Sequence, residues 1–140
     1  VAAQLSAMNI KRIQHTPHDG GSRKSWPDEL LPPCYKKESG RKYTSIYGRM
    51  WWDRPSPTIT TLCMGLGNGR FGHPEQDRAM TLREAALLQS FPKKYKFYKP
   101  GEILNRSAVG RMIGNAVPPA LGKSLGKAII KHVSEHSPIK

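Results

Sequence analysis

The segment Gly67-Asn68-Gly69-Arg70-Phe71-Gly72 comes nearest to a known chemical device. It matches G-x-G-x-x-G, the pattern in which glycine amides cradle a pyrophosphate. That device needs a helix to start at once, so that its first amides meet the phosphates. Here Pro74 follows, the next helical pattern begins near residue 82, and no acidic residue closes a second strand. A loop whose glycines let backbone approach a DNA phosphate or base edge is the sharper use of these residues, with Arg70 as a reader. A plain flexible loop is the bland one. Other candidates are thinner. Cys34 follows Pro33 and precedes Lys36 and Lys37, but spacing alone fixes no geometry that would lower a thiol pKa, so it reads as loop. Cys63 ends an apolar run and reads as core. His15, His18, His73, His132 and His136 are scattered. The pairs His15/His18 and His132/His136 lack a third ligand, so no metal site is expected. No Ser-His-Asp arrangement and no paired carboxylates suited to acid–base work are present. Trp51 and Trp52 either stack on bases or pack on a core edge.

The elements that must hold these residues are short. Asp19-Gly20-Gly21-Ser22 is a turn signal, and Pro17, Pro27, Pro32 and Pro33 break helices over the first 50 residues, apart from a short one around residues 5–13. Residues 57–63 are β-branched with Pro55 and Pro57 only at the entrance, which predicts a strand. Residues 64–75 read as a glycine-rich loop. Thr81-Leu82-Arg83-Glu84 is a capping box leading into Ala85-Ala86-Leu87-Leu88-Gln89, a helix that Pro92 should stop. A last helix should start near Pro118-Pro119, where missing amides cost nothing. Leu121, Leu125, Ala128, Ile129 and Val133 form its apolar stripe, and Gly122 and Gly126 permit close approach to another element.

The chain has 140 residues, which suggests one domain, with 37% hydrophobic residues and 25 glycines and prolines taken together. Much of the backbone should therefore lie in loops. No run approaches the ~18–20 apolar residues of a membrane span. No signal-peptide pattern marks the start, and two cysteines make no disulfide framework, so a cytosolic (cytoplasmic) protein is the simplest reading. The chain starts at Val1 rather than Met, which fits a piece of something longer. The net charge is +13. The basic excess runs through all three stretches 1–50, 51–100 and 101–140, so this is not a basic tail on a neutral domain. Such a surface suits a polyanion, most simply nucleic acid. An anionic membrane fits less well, because no basic amphipathic helix stands out. On the residues alone this is a basic, loop-rich α+β domain that binds nucleic acid and carries no complete active site.

Four blocks, in order, resemble the C-terminal third of the DNA (cytosine-5) methyltransferases. The first is Tyr47-Gly48-Arg49-Met50-Trp51-Trp52-Asp53 with Pro57-Thr58-Ile59-Thr60-Thr61, similar to the end of that family's target recognition domain. The second is Gly69-Arg70-Phe71-Gly72-His73-Pro74-Glu75-Gln76-Asp77-Arg78. The third, Thr81 to Pro92, is similar to the family's ninth motif. The fourth, Gly114-Asn115-Ala116-Val117-Pro118-Pro119, is similar to its tenth.

The resemblance implies a division into a target recognition region (residues 1–80) and ninth- and tenth-motif helices (residues 81–140) that pack back onto a Rossmann-like catalytic domain. It implies DNA contacts from Thr58, Ile59 and Thr60, with the strand carrying Thr58-Ile59 at the target-strand phosphate near a flipped cytosine, and from Arg49 and Arg70. It gives Arg83 and Glu84 an organising role. It implies that Asn115, Ala116 and Val117 approach the methyl donor, S-adenosylmethionine. The expected partners are double-stranded DNA and an N-terminal catalytic half, since the family's donor-binding glycine block, Pro-Cys nucleophile block and Glu-Asn-Val block lie earlier and are not in this chain. Pro33-Cys34 does not replace them, because Tyr35 stands where the family has Gln. The rivals are a stand-alone basic nucleic-acid-binding module and an independent nucleotide-dependent enzyme built on residues 67–72.

Overall fold

A computed structural model describes residues 2–99 and 101–136. Among the described residues, six α-helices and three single 3-10 turns alternate with long stretches of loop. Helix α1 is Ala7–Gln14, capped by the Ser6 hydroxyl on the Asn9 amide. Two one-turn helices, α2 (Pro33–Lys36) and α3 (Glu38–Arg41), follow the 3-10 turns Arg23–Ser25 and Asp28–Leu30. A third 3-10 turn, Leu66–Asn68, lies inside the glycine-rich loop. Then come α4 (Leu82–Leu88), α5 (Arg106–Asn115) and α6 (Pro119–His136).

The expected α+β architecture with a few short strands is replaced by helix and loop. Among the described residues the only sheet-like pairing is a pair of isolated bridges that meet at Gly72, parallel to Arg49 and antiparallel to Ala79. Backbone bonds Met50 N–H to Gly72 O (2.9 Å) and Met80 N–H to Phe71 O (2.8 Å) tie three segments side by side there. The strand expected over residues 57–63 does not form. Residues 57–60 run without ladder partners, and the chain then turns, with the Cys63 amide donating to Thr60 O and Gly65 to Leu62 O. Pro55 and Pro57 contribute no amide donors at the entrance.

Without ladders, arginine side chains satisfy backbone carbonyls. Arg49 is fully buried, and all five of its N–H groups are used. Nε donates to Thr16 O (2.9 Å), Nη1 to His73 O (2.9 Å) and Gln76 O (2.6 Å), and Nη2 to Ile13 O (2.8 Å) and the Asp77 carboxylate. Arg23 bonds the carbonyls of Tyr43, Gly40 and Arg41 while lying over the Tyr35 ring at 4.1 Å. Arg12 bonds Leu30 O at 2.9 Å. These bonds join segments that a sheet would otherwise have joined.

The core has two clusters. The larger joins Ile59, Cys63, Phe71 and Met80 to Ala85 and Ala86 of α4 and to Val109 and Ile113 of α5. The smaller holds Ile13, Leu66 and Ala79.

Helix α4 begins with the capping box read from sequence. The Thr81 hydroxyl accepts from the Glu84 amide (3.1 Å), and the Glu84 carboxylate accepts from the Thr81 amide (2.7 Å). It does not run to Pro92. It ends at Leu88 with Gln89 as cap, Ser90 in the left-handed region (φ 63°), and amide bonds from Ser90 to Leu87 O and from Phe91 to Ala86 O. This is a Schellman closure, normally made with glycine.

Helix α6 starts at Pro119, as the proline pair implies, and none of its residues is buried. Leu121, Leu125, Ile129 and Val133 are each more than half exposed, and a Cβ added at Gly122 or Gly126 would meet nothing within 4 Å. No helix is long and apolar enough to cross a membrane among the described residues.

Candidate functional site

Two exposed segments come together on the larger core cluster. The first is Thr58-Ile59-Thr60. Ile59 is buried in the core, which turns Thr58 and Thr60 outward. The second is the exit of α5 through Asn115-Ala116-Val117. Asn115 is exposed, Ala116 is half-buried and Val117 is 64% exposed. Gly114 brings the two together, since a Cβ there would overlap the backbone of Thr60 and Thr61. Only glycine allows the last turn of α5 to lie directly on that backbone.

The Asn115–Val117 turn is held from behind by α4. The Gln89 side chain is buried, and its Nε2 donates to Ile113 O (3.0 Å) and Ala116 O (3.4 Å). The last carbonyls of a helix have no partner within it, so Gln89 completes the end of α5. Next to it, the Ser90 hydroxyl accepts from the Ala120 amide at the start of α6 (3.0 Å). The sequence gives no local sign of either contact, because the partners lie 24 to 30 residues away.

The structure turns two of the expected DNA contacts inward. Arg49 is the internal strut described above, with no N–H left over. Arg70 is half-buried. Its Nη1 reaches Gly20 O (2.7 Å), Gly21 O (3.0 Å) and Arg49 O (2.8 Å), and its guanidinium lies 4.1 Å over the Trp51 ring. Burial pushes its pKa down, and nearby Arg54 adds to that shift. Trp51 presses onto Gly20, where a Cβ would overlap the indole, so this tryptophan is packed. Trp52 is exposed and donates to Glu75 (2.9 Å).

His73 accepts the Glu75 and Gln76 amides on Nδ1 (3.2 and 3.0 Å), and burial pushes its pKa down, both consistent with a neutral ring. Arg83 bonds Tyr95 O at 3.0 Å. Glu84 is gripped by Arg78 through two bonds of 2.8 and 2.7 Å. These bonds first, and the Thr81 contacts after them, hold its carboxyl down at about 2. Arg78 and Gln89 lie inside the second and third sequence blocks, where the residues alone give neither a role. Cys34 is exposed, while Cys63 is buried and burial pushes its thiol up. No group of three or more metal-ligating side chains occurs among the described residues.

Basic groups line a cleft of about 420 Å³ that includes Lys24, Lys36, Arg41, Tyr35 and Thr44. A second cleft of about 370 Å³, between Trp52, His73, Leu87 and Leu88, is mostly apolar. Neither is lined by Asn115–Val117.

Residues 3–131 match the family model for C-5 cytosine-specific DNA methylases. The chain belongs to that family. It is 59% identical over 122 residues to the type II methylase M.HgiDII of Herpetosiphon aurantiacus, covering 87% of this chain and 34% of that protein. It is 43% identical over 120 residues to the type II methyltransferase M1.BsuMI of Bacillus subtilis, covering 86% of this chain and 26% of the relative. It is 41% identical over 98 residues to DNA (cytosine-5)-methyltransferase 1 of Mus musculus, covering 68% of this chain and 6% of the relative. The chain of this methylase family member thus spans about a third of the Herpetosiphon relative and less of the others.

Proposed function

We propose that this chain is the DNA-recognition and C-terminal portion of a DNA (cytosine-5) methyltransferase, in which methyl passes from S-adenosylmethionine to C5 of a cytosine taken out of the duplex. The carrying observation is the contact at Gly114. It sets Thr58–Thr60, the segment we assign to DNA, against Asn115–Val117, the turn we assign to the methyl donor. An enzyme that modifies a base must hold the opened duplex and the reagent in fixed relation. Two segments seated on one core through backbone contact supply that relation.

The residues fit these roles. Thr58 and Thr60 offer hydroxyls that can meet phosphate oxygens, with Ile59 as their anchor. Asn115 offers an amide and Val117 an apolar surface, which suit the polar edge and flat face of a nucleoside. S-adenosylmethionine supplies the methyl group when bound. This chain contributes one wall of its site, and the rest of the enzyme supplies the remainder with the catalytic residues. Arg49, Arg70, Arg78 and Glu84 act by holding the recognition region in shape. Residues 1–80 form that region, and residues 81–140 join it to a catalytic domain of Rossmann type, with α6 docking there. The net charge of +13 gives the affinity for double-stranded DNA. The close relation to type II methylases points to a place in a restriction–modification system.

The test supplies the N-terminal two thirds of the Herpetosiphon relative to this chain and follows labelled methyl transfer to mixed-sequence DNA. We expect activity in the mixture and none from the chain alone. Activity of the chain by itself would refute this division of labour. A folded chain that binds DNA but never complements would favour the stand-alone basic module.

A further inference from the structure

We propose that Gln89 and Ser90 are positioning residues for the Asn115–Val117 turn, clamping it in register with Thr58–Thr61 so that DNA and methyl donor are presented together. The inference deepens the reading above and rests on it.

Three observations converge. Gln89 lies at the end of α4, yet its buried amide serves α5, donating to Ile113 O and Ala116 O. Both partners are carbonyls, so the amide orientation is fixed by the site. Ser90 then occupies a left-handed position (φ 63°) where glycine is the usual residue. Glycine would close α4 equally well but could not reach α6. The serine hydroxyl accepts from the Ala120 amide, just past the Pro118-Pro119 pair. Neither proline has a side chain able to cap that helix. Adjacent side chains thus hold the turn at both ends, one at the exit of α5 and one at the entry of α6. The opposite side of the turn is fixed by Gly114 against the Thr60 and Thr61 backbone. With both sides defined, a shift of the donor turn must disturb the threonine segment, and the reverse.

The test uses the full chain and two variants. Gln89→Met keeps length and burial but removes both donors. Ser90→Gly keeps the backbone conformation but removes the hydroxyl. Amide exchange in the chain alone is the first readout. Gln89→Met should speed exchange at Ala116 at least tenfold, and Ser90→Gly should do so at Ala120. The amides of Ala85 and Val109 should stay unchanged in both. The second readout uses the chain completed by the N-terminal part of the Herpetosiphon relative. Gln89→Met should raise the Kd for S-adenosylhomocysteine and the KM for S-adenosylmethionine about tenfold, and should raise the KM for DNA by a smaller factor because the turn lies on the Thr60 and Thr61 backbone, with kcat within twofold. Exchange that rises equally at Ala85 and Val109 would mean a merely structural role and would overturn the proposal. So would an unchanged Kd for S-adenosylhomocysteine. If the completed wild-type protein neither binds donor nor transfers methyl, the methyltransferase reading fails and the donor role of the turn fails with it. The exchange data still show in that case whether the clamp exists.

Discussion

Replacing Arg49 by lysine separates a strut from a DNA contact. The guanidinium satisfies four carbonyls and one carboxylate with five N–H groups. An ammonium has three N–H groups and a shorter reach, so at least two of the five acceptors lose their donor; the carbonyls of Ile13, Thr16 and His73 are buried, while Gln76 and Asp77 lie at the edge. A buried acceptor left without a partner costs about 1–3 kcal/mol and one at the edge less, which puts Arg49→Lys at roughly 2–6 kcal/mol of lost stability when the shorter reach also breaks a buried bond. A domain of this size has only about 5–15 kcal/mol in total, so the variant should sit near the edge of folding. Urea unfolding followed by tryptophan fluorescence reads this directly, since Trp26 and Trp51 both pack near the affected segments. The midpoint should fall steeply. A variant already unfolded without denaturant meets the upper end of the range. Stability within about 1 kcal/mol of wild type, combined with weakened DNA binding, would refute the reasoning and return Arg49 to the DNA surface.

Other outcomes follow from the same contacts. The Glu84 carboxyl is held down from 4.5 to about 2, so its contribution to stability is complete above pH 4.5 and drains as the pH falls toward 2. Its side chain is 36% exposed, and allowing for solvent screening leaves on the order of 1–2 kcal/mol, which Glu84→Gln should remove from the acid limb of a pH–stability curve. The lowered pKa of His73 acts in the same direction but at higher pH. Its neutral form is favoured by folding, so its contribution is lost as the pH drops below 6.5, and a His73→Gln chain should flatten that part of the curve. Thr60→Val should leave unfolding unchanged while weakening DNA binding by the completed enzyme about fivefold, the loss of one hydrogen bond of ~1 kcal/mol. Lys93, Lys94, Lys96 and Lys99 are exposed and form no ion pair among the described residues. Replacing all four by glutamine should make the slope of log affinity against log salt shallower by about 0.9 for each lysine that meets a phosphate, and an unchanged slope takes the loop out of the interface.

What was legible in the sequence was local. Thr81 with Glu84, and Pro119 at the head of α6, act within one helical turn, and the starts of α1, α4 and α6 fall close to where the residues imply, whereas α2, α3 and α5 have no counterpart in the sequence reading. The strand over residues 57–63 was not legible, because a strand needs a partner and β-branched residues cannot reveal whether one exists. Nor did the charge pattern show that Arg12, Arg23, Arg49 and Arg70 point inward. Their carbonyl partners lie 17 to 50 residues away. Arginine is usually a surface residue, so composition counted them toward the binding face. The candidate site divides the same way. Asn115–Val117 stood out through a motif, while Gln89 and Ser90, which hold that turn, sit inside the block from Thr81 to Pro92 with no feature marking their reach.

The uncovered α6 has a thermodynamic consequence. It has 18 residues, two of them glycines in its interior and none of them buried, and the Ser90 hydroxyl reaches only its first turn. Most helical stability in proteins comes from packing of an amphipathic face, and each interior glycine costs about 1 kcal/mol relative to alanine. Helicity of α6 therefore gains from any surface that covers its apolar stripe. On the docking proposed above, association through this helix couples folding to binding, with a large negative heat capacity change and an affinity reduced by the entropy of ordering the segment. A covalent staple across two turns on the face opposite Leu121, Leu125, Ile129 and Val133 would supply that ordering in advance, tightening association without touching a single contact.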